Sequence, residues 1–129
     1  MFIPHHTECG RAEAHEYLPA AAITPKIGLA LYQSSGKLAV ASGTTKPTYI
    51  CMCEKKAAVT AGTIIPVIRV EDDMVFETVS SASMASINLG DKVTIASDGL
   101  RVTATTTSGV AEVVAIEDTA SGGKVRVRF

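Results

Sequence analysis

An all-β fold is predicted for this chain: a small barrel or sandwich of two pseudo-repeated β-units, with an extended N-terminal arm. Three observations predict it. Val, Ile and Thr are abundant, while Trp is absent and aromatics make up only 5% of the 129 residues, a composition suited to pleated, half-buried surfaces. Short apolar runs are separated by Gly, Ser and Asp, and helical periodicity is scarce. The chain also repeats its own grammar. Residues 28–70 run Gly28-Leu29-Ala30-Leu31-Tyr32, a turn at Ser34-Ser35-Gly36, Lys37-Leu38-Ala39-Val40, Tyr49 to Glu54, then Gly62 and Thr63-Ile64-Ile65-Pro66-Val67-Ile68. Residues 90–129 run Gly90 to Ile95, a turn at Asp98-Gly99, Leu100 to Thr103, Val113 to Glu117, then Gly122-Gly123 and Lys124 to Phe129. Matching landmarks stay near 61 to 63 residues apart. One such unit could not bury a face alone, so the two must pack together.

Taken in order, residues 1–24 form the arm and residues 25–129 a single β domain, with pseudo-repeats at about 28–70 and 90–129. The arm holds His5, His6 and His15, the charges Glu8, Arg11, Glu13 and Glu16, and no alternating apolar pattern. Ala12 to Leu18 has the length of a helical turn or two. Pro19 and Pro25 bias the intervening residues toward extended backbone. Such a segment is expected to be mobile in the free protein and ordered by whatever it lies on. From Gly28 the pattern is β. Leu29, Leu31, Leu38 and Val40 flank a hairpin turn at Ser35-Gly36. Tyr49 to Glu54 reads as a short buried strand. Thr63 to Val70 contains Pro66, which places it at an edge or bulge because proline cannot donate to a ladder. Asp72-Asp73 makes a turn, Met74 to Val79 a strand, and the second unit follows. Eight to ten short strands result, with Leu31, Val40, Ile50, Val93, Ile95, Val102, Val113 and Ile116 as candidate core.

Bulk properties narrow the partners. Hydrophobic residues make up 47% and charged ones 19%, with a net charge of −1, so no global field draws the chain to nucleic acid or an anionic membrane. The basic end alternates, Lys124, Arg126 and Arg128 on one strand face and Val125, Val127 and Phe129 on the other, which is the pattern of a solvated face. No run approaches the ~18 apolar residues of a membrane helix. The first residues lack a basic region followed by a long apolar core, so the chain is expected to be made and kept inside a cell with reduced thiols.

Chemistry-bearing clusters are few. Cys51 and Cys53, two apart on one strand, should point to the same side with sulfurs nearly 7 Å apart, which suits small core hydrophobes better than a zinc turn. His5, His6, Glu8, Cys9 and His15 sit on the arm, a poor preformed metal site. Glu71, Asp72, Asp73 and Glu77 gather around one turn. A Gly-x-Ser-x-Gly elbow, a P-loop and a dinucleotide fingerprint are all missing. The expectation is a protein that is not an enzyme, with no catalytic, cofactor-binding or metal-binding residues.

Several segments carry a family resemblance: Pro25 to Tyr32, Gly36 to Gly43, Ala61 to Val67, and Leu89 to Ile95 with Asp98-Gly99-Leu100. They resemble the β-hairpins of small head-decoration (capsid cement) proteins of tailed bacteriophages. The resemblance implies a structural virion protein that binds the outer surface of the capsid and stabilises it. Its implied partner is the major capsid protein, its assembly a homo-oligomer with a trimer favoured, and its location the capsid exterior after synthesis in the host cytoplasm. No functional-site residue is carried across. The arm and the Thr63–Val70 edge are the expected docking elements. Two alternatives stay open: a tail or baseplate-associated β module, and a small ligand-binding or prosthetic-group-carrying barrel. The carrier reading needs a lysine displayed on a tight turn; Lys37 follows such a turn, but the second unit has Leu100 there.

Overall fold

The computed structural model describes residues 1–10, 12 and 14–129. The two arm charges Arg11 and Glu13 lie outside the described residues. Among the described residues there are ten strands: β1 (Ile3–Thr7), β2 (His15–Pro19), β3 (Ala30–Ser34), β4 (Lys37–Val40), β5 (Tyr49–Cys51), β6 (Ile64–Arg69), β7 (Met74–Val79), β8 (Lys92–Val93), β9 (Ala111–Ile116) and β10 (Lys124–Arg128). They form two five-stranded antiparallel sheets, ordered β1-β7-β10-β9-β8 and β2-β6-β5-β3-β4. The sheets pack as a sandwich and neither closes into a barrel.

Each repeat makes one sheet. The third, second and first strands of a unit lie side by side, as β6-β5-β3 in one sheet and β10-β9-β8 in the other. The equivalence reaches individual hydrogen bonds. Gly28 N–H donates to the Cys51 carbonyl and Gly90 N–H to Val113; Thr48 N–H donates to Leu31 and Val110 N–H to Val93. It also runs further back than the sequence pattern suggests. Strand β2 pairs with β6 through Glu16↔Val67, Tyr17↔Pro66 and Leu18↔Ile65, and β7 pairs with β10 through Phe76↔Val127, Glu77↔Arg126 and Thr78↔Val125. Every pair in the first set maps onto the second by the same shift. Just past these strands, isolated parallel bridges Ala20↔Leu38 and Ser80↔Val102 complete the match. Among the described residues strand β1 has no counterpart.

Burial follows strand parity. Phe76, Val93, Val113, Val125 and Val127 of one sheet meet Ala30, Ile50 and Ile68 of the other in the main core. The opposite parity of the second sheet, Leu31, Tyr49, Cys51, Ile65 and Val67, fills a smaller core roofed by Ile23, Val59 and Leu100. A sheet apolar on both faces explains why Ile64 to Ile68 reads as a continuous apolar run. Six of the eight candidate core residues are buried; Val40 and Ile116 are partly buried at the rims. At the β3–β4 hairpin Ser34 opposes Lys37, and both turn residues have positive φ, Ser35 at 50° and Gly36 at 74°. That is the two-residue turn whose twist matches the flanking strands.

Three expectations are corrected. The described residues of the arm are ordered by their own chain: β1 pairs with β7, β2 pairs with β6, and Phe2 is fully buried. Residues His15–Pro19 are strand rather than helical turn. The edge placement of Thr63–Val70 fails for the same reason, since β6 has β2 on one side and β5 on the other. Pro66 is accommodated because the β5 ladder ends at Cys51↔Val67. Its carbonyl still accepts from Met52 N–H at 3.0 Å, and no amide proton is needed there.

Candidate interaction surface

The clusters named from sequence are brought together only in part. In a regular strand neighbouring side chains face opposite ways, but a register shift between Pro4 and His6 turns His5 and His6 onto each other, with Nδ1 atoms 2.6 Å apart. Cys9 Sγ–H donates to Asp73 Oδ2 at 2.6 Å. His15 stands apart, exposed on β2. Among the described residues no three His, Cys, Asp or Glu side chains gather as a metal site would require.

The thiol spacing is a further correction. Cys51 and Cys53 do share a side, but their sulfurs are 3.9 Å apart, because β5 ends at Cys51 and Cys53 lies beyond the pleat. Burial pushes the Cys51 thiol up to about 11, so it is protonated at neutral pH. Its position matches Val113 of the second unit, also fully buried; both are small apolar fillers.

The carboxylates of the 71–77 turn also separate. Asp72 is exposed and lies 4.0 Å from Lys46 Nζ, whereas Glu77 faces Lys124 and Arg126 at 3.4 and 3.8 Å. The outer face of β10 is charged as expected, with Arg126 also bonded to Glu117 and Arg128 to both Glu8 and Glu112. A shallow groove of about 240 Å³ runs between Thr7, Glu16, Arg69, Glu71 and Met74. Within it Arg69 donates to Glu16 at 3.0 and 3.2 Å, and Glu71 adds a second carboxylate to the same lining.

What sequence reasoning missed is the margin of the second sheet. Tyr17 is 67% exposed and Ile64 56%. They stand on one face, since Tyr17 opposes Pro66 and Pro19 opposes Ile64. The signal lay in an apolar pair flanking two prolines, but it needed the non-local β2–β6 pairing to be recognised. Leu89, in the loop before β8, is also largely exposed. No protein-family model matches the chain, and no curated protein sequence matches it.

Proposed function

We propose that this protein is a structural component of a tailed-phage virion that binds the outside of the capsid shell and stabilises it, acting as a small symmetric cluster, a trimer by preference. The observation that supports this reading is the surface itself: a rigid sandwich whose charged outer face is internally paired, beside an exposed apolar margin at Tyr17 and Ile64. Exposed apolar side chains beside an open strand suit protein docking. A cement role asks for nothing more, because many weak contacts around a symmetric shell add up by avidity. The family resemblance of the hairpins points the same way.

The test is to mix the purified protein with shells that lack it and measure co-sedimentation and the temperature of shell disruption. Binding with a raised disruption temperature is the expected result. Failure to bind, with co-purification alongside tail components, would transfer the protein to the tail-module reading.

A further inference from the structure

We infer that the outer edge of β2 is the docking site, and that its occupant is an extended segment of the capsid subunit, added antiparallel as a sixth strand. The inference rests on the capsid reading above, which it makes specific.

The argument comes from the internal duplication. Strands β2 and β7 are equivalent elements of the two units, with identical pairing to β6 and β10. The outer side of β7 is occupied by β1, in register Ile3↔Glu77, His6↔Val75 and Thr7↔Met74. Among the described residues, no strand pairs along the outer side of β2; only Leu38 of β4 meets it, past its end at Ala20. The residues matching Glu77 and Val75 are Tyr17 and His15. Ala20 bonds toward the β6 side, donating to the Thr63 carbonyl and accepting from Gly62 N–H. Ladder alternation therefore turns Leu18 and Glu16 inward as well, and leaves the N–H and C=O groups of His15 and Tyr17 facing out. The bridge Ala20↔Leu38 does not block this edge, because its counterpart Ser80↔Val102 coexists with β1 on β7.

A second copy of β2 is a poor occupant. Pairing His15 with Tyr17 of another copy sets Glu16 against Glu16, a like-charge contact that the Arg69 pair on each Glu16 offsets only in part. The next register sets His15 against Pro19, which has no amide proton. A second copy of β1 would have to abandon the buried site of its own Phe2. A strand from a different chain meets none of these obstacles. Its side chains on the Tyr17–Ile64 face should be apolar, and those opposite Glu16 and Arg69 polar.

The experiment uses Tyr17→Pro, which removes an outward N–H and leaves the β6 ladder whole, alongside amide hydrogen exchange on the unaltered protein. Both are read against shells lacking the protein, assembled from the capsid subunit of the same particle. Tyr17→Pro should fold normally and bind shells about tenfold more weakly, the loss of one interfacial hydrogen bond and its apolar contact. The His15 and Tyr17 amides should exchange at least tenfold more slowly in the bound protein. Unchanged exchange at these amides in bound wild-type protein, or undiminished binding by Tyr17→Pro, would overturn the docking edge and leave the capsid function standing. Wild-type protein that does not bind shells would overturn both. Loss of self-association in Tyr17→Pro, with shell binding intact, would assign the edge to a second copy instead. If the proline variant fails to fold, the exchange measurement on wild-type protein decides alone.

Discussion

Phe2 packs edge-on against Phe129, with ring centroids 5.2 Å apart at an interplanar angle of 69°. Phe129 in turn lies against Phe76, 5.6 Å between centroids. This cluster fastens β1 to the main core, since Phe2 is fully buried and its N–H donates to the Gly28 carbonyl at 2.8 Å. Phe2→Ala should therefore cost about 3–5 kcal/mol, the range for emptying a buried aromatic site. Urea denaturation followed by circular dichroism measures it. A loss below 1 kcal/mol would mean that the segment is loosely held, as the sequence alone suggested.

How far the fold was legible is seen by comparing β2 with β7. The hairpins after Gly28 and Gly90 announce themselves because alternating apolar residues and turn glycines are local signals. The equivalence of His15–Pro19 with Met74–Val79 is silent in the sequence. Glu16 stands where the second unit has Phe76, and Tyr17 where it has Glu77. Only pairing across some fifty residues reveals it, and non-local pairing is what local pattern does not encode. The misplacement of β6 at an edge has the same cause. The cysteine geometry failed for a smaller reason: the strand was taken to run past Cys51, where it stops. The candidate docking edge was out of reach because an edge is defined by which strand is missing beside it.

The Cys51 thiol gives a pH dependence with a definite sign. Its ordinary value is 9.0, and burial raises it to about 11 in the folded protein. The folded state thus holds this proton more tightly than the unfolded chain. The resulting stabilisation is complete below pH 9 and is lost as pH rises from 9 through 11. Wild-type protein should show a falling urea midpoint across that window, and Cys51→Val, which copies Val113, should flatten this component of the profile. Iodoacetamide at pH 8 should label exposed Cys9 rapidly and Cys51 only after unfolding, because the thiolate is the reacting form.

Gly109 is fixed by close approach. A Cβ there would fall 2.0 Å from the Lys92 carbonyl oxygen, which is held in the β8–β9 pairing at Lys92↔Glu112. Backbone cannot yield as a side chain can, so Gly109→Ala should cost about 3 kcal/mol or more. Gly36→Ala is the comparison. Its Cβ would meet open space, but its φ of 74° is unfavourable for alanine, so a loss near 1 kcal/mol is expected. Thermal unfolding of the two variants should separate them clearly.

The basic end of the chain should not bind nucleic acid, and the reason is visible on the outer face of β10. Lys124, Arg126 and Arg128 are each bonded or paired to at least one of Glu77, Glu117, Glu112 and Glu8. Nucleic-acid affinity comes mainly from cations that release counterions from phosphates, and cations already paired offer little. Fluorescence anisotropy with a labelled duplex at 150 mM salt should therefore show no binding at micromolar protein. Glu77→Gln combined with Glu117→Gln should cost about 1–2 kcal/mol, because it takes both carboxylate partners from the partly buried Arg126. The same double change makes the face net positive. Weak binding that appears only in this variant at low salt, and fades as salt rises, is the expected signature. Tight binding by the unaltered protein would show that the paired carboxylates do not mask the cations.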